Sequence, residues 1–340
     1  MSNQSAYAQA GVDIAAGQKA TELMKTAVRA TYTPAVLSDT GNFGGLFDIA
    51  NLKQLDHPVL VASTDGVGTK TKVAAHMNRW DTIGQDLVNH CINDILVQGA
   101  TPLFFLDYVA SSKLEPEQIA TIVHGMATAC QQVGCALLGG ETAEMPGVYE
   151  AGEVDVVGTV VGVVDKGQLL DGSRIQTGDA ILALPSTGLH TNGYSLARRT
   201  LGHLDWHTPH PDLNTSPGEA MLAIHRCYLN EIQALRNADI NIRGLAHITG
   251  GGLWDNIPRI LPPRTGVTIN KGSWPIPPLF TLIQQLGQIN EHDMYHAFNM
   301  GIGMVIILPA VQVAAAQALL PNDAYLIGHV VNGDNNVTLK

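Results

Sequence analysis

Along the first half of the chain, apolar residues fall into short β-branched runs separated by stretches with helical spacing. Pro58 to Thr64 (PVLVAST) reads as a buried strand, Leu103 to Ala110 as a second and Cys135 to Leu138 as a short third. Val154 to Val164 is a longer fourth. Helical spacing appears over Gln18–Ala30, Trp80–Gly99 and Pro116–Val133; in the second of these Ile83, Leu87, Cys91 and Ile95 recur on one face. In the second half, strands are expected at Ala180–Leu184, Arg243–Ile248, Gly266–Ile269, Met304–Leu308 and Ala324–Val331. Helices are expected at Tyr194–Leu201, Gly218–Arg236, Gly252–Ile260, Leu279–Leu286 and Ala310–Leu320. Strands and helices alternate without strict βαβ order, which predicts an α+β chain of two layered α/β domains rather than one doubly wound sheet. The polar segment Asp165–Asp179 separates two β-branched stretches, so the expected domains are residues 1–168 and 169–340.

A length of 340 residues agrees with two domains. With 45% apolar and 14% charged residues the chain is too apolar for disorder. The net charge of −11 argues against a nucleic-acid surface, although a locally held phosphorylated ligand stays compatible with it. The acid is uneven: residues 1–170 hold 9 basic and 18 acidic residues (net −9), residues 171–340 hold 10 and 12 (net −2). Cys91, Cys130, Cys135 and Cys227 form no CxxC pair or zinc spacing, as expected for reduced thiols in a cytoplasmic protein. The opening MSNQSAYAQAGVD has no signal-peptide pattern, and no run of 18 apolar residues predicts a membrane span.

The sharpest chemical feature is DGVGTK. After a strand, Gly66, Val67 and Gly68 allow a close backbone turn, Thr69 adds a hydroxyl, Lys70 a positive charge, and Asp65 an oxygen ligand suited to magnesium. The Walker A spacing is absent. Asp94 lies three residues after Cys91, on the inward face of its helix, where a carboxylate needs a partner or a cation. Asp86, nearer the helix start, reads as a favourable first-turn charge. GGETAEMPG reads as a loop with Gly140 and Glu141 at a strand end, so Asp65, Asp94 and Glu141 form a candidate magnesium cluster for nucleotide phosphates. In the second half, PSTGLHTNGYS presents His190, Thr191 and Asn192 ahead of a helix, and ITGGGLWDN runs Gly250, Gly251 and Gly252 into another. Of the remaining histidines, His76, His90, His124, His225 and His329 share no ligand spacing.

In this order, the strings AGVDIAAG, STDGVGTK, DTIGQDLVNHCINDILVQGATPLFFLDY, GGETAEMPGVY, HTNGYSLAR, HITGGGLWDNIPRILP and FNMGIGM resemble the phosphoribosylformylglycinamidine cyclo-ligase (aminoimidazole ribonucleotide synthetase) family, over about residues 6–331. The resemblance implies an N-terminal ATP-binding domain and a C-terminal substrate-side domain, and a homodimer whose N-terminal sheets join in a barrel-like core. The implied reaction is closure of formylglycinamidine ribonucleotide to aminoimidazole ribonucleotide at the expense of ATP, with Mg2+. It places Asp65, Asp94, Glu141 and the Gly66–Lys70 loop at the nucleotide and metal, Lys25 near the phosphates, and His190 and Asn192 on the substrate side, with Gly250–Gly252 beside them. Selenophosphate synthetases, thiamine-phosphate kinases and hydrogenase-maturation proteins use a similar nucleotide loop. No cysteine precedes Cys91, and the chain ends VTLK rather than on a cysteine. A regulator that binds ATP without turnover is the other alternative, and the intact acids argue against it.

Overall fold

The computed structural model describes residues 13–320 and 324–340, so the start of the AGVD string lies outside the described residues. The chain divides into two compact units. One holds residues up to Ile95 together with Thr101–Gly167; the other holds Leu96–Ala100 and Gln168–Lys340.

The first unit contains helices α1 (Ile14–Ala30), α2 (Lys70–Met77), α3 (Ile83–Leu96) and α4 (Pro116–Gln132). Its strands are β1 (Pro58–Gly66), β2 (Thr101–Ser111), β3 (Ala136–Glu144) and β4 (Val154–Asp165), in the order β1-β4-β2-β3. β4 runs antiparallel to β1 and β2, while β2 and β3 are parallel. Asp13 caps α1 by accepting from the Ala15 and Ala16 amides. Helix α3 lies on one sheet face over rows emptied by glycine. A Cβ on Gly158 would meet Phe105 and Leu87, and one on Gly162 would meet Ile95. Helices α3 and α4 approach at Gly84, where a Cβ would sit 2.0 Å from the Ile122 carbonyl oxygen.

The other sheet face is open, which corrects the expectation of a buried first strand. Only Val61 of β1 is buried, and its neighbours alternate outward, with Leu60 64% exposed. β4 alternates buried and half-buried residues from Val154 to Val161 and is buried from Gly162 to Val164. An apolar run of this length fits a fully buried strand or one face of a half-open sheet, and periodicity alone does not separate them.

The second unit has the six-stranded order β10-β7-β9-β5-β8-β6. These strands are β5 (Ala180–Pro185), β6 (Gly244–His247), β7 (Thr265–Ile269), β8 (Ile302–Leu308), β9 (Tyr325–Asn332) and β10 (Val337–Leu339). β7 and β8 are buried along their whole length. The helices are α5 (Tyr194–Leu201), α6 (Pro217–Met221), α7 (Leu229–Asn237), α8 (Gly252–Asn256), α9 (Pro278–Gly287), α10 (Glu291–Ala297) and α11 (Val313–Leu319). Two departures from the sequence pattern matter. The helix expected over Gly218–Arg236 is broken: residues 222–228 are irregular between α6 and α7. Tertiary bonds override helical propensity there. Thr187 Oγ1 donates to the Ile224 carbonyl, Arg226 pairs with Glu231 at 2.6 Å, and Tyr228 donates to the Pro185 carbonyl at 2.9 Å. Helix α10, capped by Asn290, was absent from the periodic reading because its short polar turn EHDMYHA carries few apolar positions.

Inside the first unit, Lys70 Nζ and Asp86 Oδ2 form a fully buried ion pair at 2.8 Å. This corrects both sequence readings: Asp86 is no surface first-turn acid, and the Lys70 ammonium is spent in the interior. Burial pushes the Lys70 pKa down, and the Asp86 carboxylate pushes it back up. Lys70→Met would leave a buried carboxylate without its cation, at a cost of about 3–5 kcal/mol. Urea denaturation is expected to show that loss, and Lys70→Met combined with Asp86→Leu to recover most of it.

Candidate active site

In the first unit, Asp65 and Asp94 meet, although 29 positions separate them. Asp65 is the penultimate residue of β1 and Asp94 sits in the last turn of α3. Ser63 Oγ bridges them, donating to Asp65 Oδ2 at 3.1 Å and lying 3.4 Å from Asp94 Oδ2. His90, one helical turn before Asp94, places Nε2 3.6 Å from a carboxylate oxygen of each. Partial burial pushes the Asp65 pKa up to about 7, helped by the hydrogen bond and the charge of Asp94. The Asp94 carboxylate thus disfavours the charged form of Asp65.

His90 and Ser63 are site residues that sequence reasoning missed. For His90 the signal was present: it is four residues before Asp94, hence on the same helix face. A third acid, Asp107, was also missed. Cross-sheet register aligns Asp65, Gly158, Asp107 and Gly140 in one row, so Asp65 and Asp107 share the α3 face of the sheet. Their backbones are two strand spacings apart, roughly 10 Å. Burial pushes the Asp107 pKa up to about 7. Gly140 has no freedom to carry a side chain, because its Cβ would fall 2.2 Å from Asp107 Oδ1.

Glu141 is not brought to this cluster. GGETAE is strand, not loop: β3 runs to Glu144, and Glu141 pairs with Tyr108 on the opposite sheet face and at the opposite edge from β1. Within one chain, therefore, Asp65 and Asp94 are brought together and Glu141 lies apart from them. A strand continuing through a glycine pair was misread because Gly-Gly is a turn signal locally and a clearance device here.

The glycine-rich loop is shorter than it reads. Gly66 ends β1, the buried Val67 donates its amide to the Val156 carbonyl at 3.1 Å, and Gly68 turns the chain at φ 63°. Thr69 precedes α2. Gly68, Thr69 and Thr71 line an open cavity of about 250 Å³ with Lys72, Tyr149 and Asp155. The cation at this opening is Lys72, ion-paired to Glu153, not the interior Lys70. Lys25 is half-buried on α1, which packs against α4 and β3, on the far side of the sheet from β1.

In the second unit the two expected loops converge. His190 adopts φ 60°, and Gly193 begins α5 at φ 77°, where a Cβ would strike the Phe298 ring. His190 is buried, and its Nε2 accepts from the Thr187 amide at 3.2 Å. The Asn192 carboxamide oxygen lies 3.2 Å from where a Cβ on Gly250 would be, so the loops touch there. Asn256 holds the glycine loop closed by donating to the Thr249, Gly250 and Gly252 carbonyls. His225, which the sequence reading set aside, and His247, just upstream of the glycine run, join His190: one ring nitrogen from each lies within 4.8 Å of the others. The signal for His225 was hidden because its segment reads as helix.

Two family models match: AIR synthase related protein, N-terminal domain, over residues 48–164, and its C-terminal domain over 176–340. Among known proteins, the phosphoribosylformylglycinamidine cyclo-ligase of Desulfitobacterium hafniense is 54% identical over 302 residues, covering 89% of this chain and 88% of that one. The same-named protein of Shouchella clausii is 50% identical, covering 99% and 98%. Solved structures share the fold at low identity. A thiamine-monophosphate kinase from Stenotrophomonas maltophilia superposes with TM-score 0.67 at 19% identity, covering 94% of this chain and 96% of that one. Hydrogenase maturation protein HypE in complex with ATP does so with 0.68 at 19%, covering 96% and 91%. Matching both domain models and its relatives over nearly their full length, the chain belongs to the phosphoribosylformylglycinamidine cyclo-ligase family.

Proposed function

We propose that the chain closes the imidazole ring of aminoimidazole ribonucleotide from formylglycinamidine ribonucleotide, using ATP, in purine biosynthesis. The observation that carries this reading is about 50% identity to cyclo-ligases across nearly the whole chain. The formamide oxygen attacks the γ-phosphorus, the bond to the bridging oxygen breaks, and ADP leaves. The amidine nitrogen then attacks the activated carbon, inorganic phosphate departs with the carbon–oxygen electron pair, and a proton is released. Such a transfer needs positioning and charge neutralisation more than covalent help.

The acid pair supports a division of labour. Asp65 and Asp94 are the residues that would hold a magnesium ion: both offer hard oxygen donors, and they sit together with a proton where a cation would serve. When bound, magnesium supplies the charge that neutralises ATP phosphates. The Gly66–Thr69 turn frames the neighbouring backbone, and Lys72 replaces Lys70 as the cation facing its cavity. In the second unit, His190, Thr191 and Asn192 orient the ribonucleotide, with Gly250–Gly252 giving close backbone approach. Lys25 keeps its family-implied place near the phosphates as a proposal resting on resemblance alone.

A homodimer through the open face of the first unit's sheet belongs to this reading. Leu60 is 64% and Leu106 37% exposed there, and Thr64 and Thr159 join across β1 and β4. An apolar sheet face of this kind calls for a cover. No described helix is long and apolar enough to cross a membrane. A cytoplasmic location is part of the proposal, and the four cysteines are free thiols.

Three outcomes test it. With ATP, magnesium and formylglycinamidine ribonucleotide, ADP and the aminoimidazole product should appear together, and Asp94→Asn should lower kcat/KM by about 100-fold or more while the chain stays folded; full activity in that variant would make Asp94 structural.

The raised Asp65 pKa has a definite sign. Below the usual carboxylate value Asp65 is protonated folded and unfolded; between there and about pH 7 only the folded chain keeps the proton. The contribution is therefore present at low pH and lost as pH rises towards 7. Thermal melts without metal should fall across that window, less steeply in Asp94→Asn, and magnesium should raise Tm more at pH 8 than at pH 5.5.

For the dimer, light scattering should give twice the chain mass of 36.1 kDa. Leu60→Glu with Ala62→Glu, both on the outward side of β1, should halve it.

A further inference from the structure

The ring of His225 is fully buried at the centre of the second unit's loops and has no role in the reaction as derived above. It meets both neighbours that matter. Its face stacks on His190 at 3.9 Å between centroids with planes 21° apart. Its Nε2 lies 3.0 Å from His247 Nε2, and its Nδ1 a longer 3.4 Å from Thr191 Oγ1. The segment that carries it, residues 222–228, leaves helical geometry to put it there.

We infer that His225 is a positioning residue for the substrate loops, holding His190 in plane and fixing the tautomer of His247. The inference rests on the reading that His190 and Thr191 face the ribonucleotide. Two imidazole nitrogens 3.0 Å apart are held by one proton, because two lone pairs or two N–H groups facing each other repel. If His225 donates from Nε2, its neutral Nδ1 accepts from the Thr191 hydroxyl, and His247 keeps its proton on Nδ1. If His247 donates, His225 carries its proton on Nδ1 and donates to Thr191. In either arrangement Thr191, His225 and His247 are oriented as one chain of hydrogen bonds. His190 is set separately, by the stack and by the Thr187 amide on its Nε2. One central ring thus sets the directions of polar groups on the 185–195 loop and on His247, the last residue of β6, that sequence places far apart. Fixing such groups in advance lowers the entropic cost of binding and orienting a polar substrate.

The three nitrogens also lie within the span of a metal site. Stacked rings direct their lone pairs side by side instead of at one point, which favours the hydrogen-bonded arrangement over an ion.

The test uses the full chain. Long-range 1H–15N spectra of the histidine rings should show a single tautomer for His247 in the wild type. His225→Phe keeps a stacking ring and removes both nitrogens; it should leave His247 averaged between tautomers. In turnover with saturating ATP, this variant should raise KM for the ribonucleotide about 10-fold, leaving KM for ATP within twofold. His225→Gln, which keeps a donor and an acceptor, should restore part of the loss. An averaged His247 in the wild type overturns the inference, even where the variant fails to fold. So does an unchanged tautomer in His225→Phe, or an equal rise in both KM values. Stoichiometric zinc binding that vanishes in His225→Phe would overturn it in favour of a metal centre. Because the spectra need no turnover, a wild-type chain inactive on the ribonucleotide would sink the functional reading and leave the ring geometry decided on its own.

Discussion

The buried Lys70–Asp86 pair is the interaction on which the first unit's site depends. It joins the first residue of α2 to the first turn of α3, both side chains wholly out of water. Helix α2 follows directly on the turn after Asp65, and α3 carries His90 and Asp94. The pair therefore sets the angle at which one acid-bearing segment meets the other. Such pairs are poor sources of net stability, since desolvation offsets much of their attraction, but their geometry is demanding. Around it the interior remains polar: Asn89, His90 and Asn93 are buried along the same helix.

What that constraint produces is a controlled electrostatic conflict. Asp65 and Asp94 are held close enough for the charge of Asp94 to raise the Asp65 pKa, with Ser63 bridging them and His90 beside both. Glycines make the space. Gly158 leaves the row between Asp65 and Asp107 without a side chain, and Gly140 leaves room for the Asp107 carboxylate itself. Perturbed acids held this way concentrate at functional sites.

The second unit solves a different problem with buried imidazole rings. His190, His225 and His247 crowd into one volume, with one ring nitrogen of each within 4.8 Å of the others. Their order comes from stacking and a shared proton, and from a chain segment that gives up helix to deliver His225. The loops they unite are otherwise held by backbone devices, the positive φ of His190 and Gly193 and the Asn256 clamp on the glycine carbonyls.

The sequence by itself determined the α+β organisation, most strands, and the motifs that carry Asp65, Asp94 and His190, because period, turn chemistry and motif order are local properties. It also carried the family resemblance, for the same reason. It did not determine which face of β1 is covered, that Gly140 and Glu141 continue a strand, that Lys70 turns inward to Asp86, or that His225 reaches His190. Each of those depends on what lies across the sheet or across a loop, and neither periodicity nor propensity contains that information. Glu141 illustrates the point: as a carboxylate after a strand it resembles Asp65, yet a register that alternates side chains between faces sends it to the other side of the sheet. Tertiary structure decided the partners because burial makes an unpaired charge or donor too costly to leave, and the nearest partner was distant in sequence.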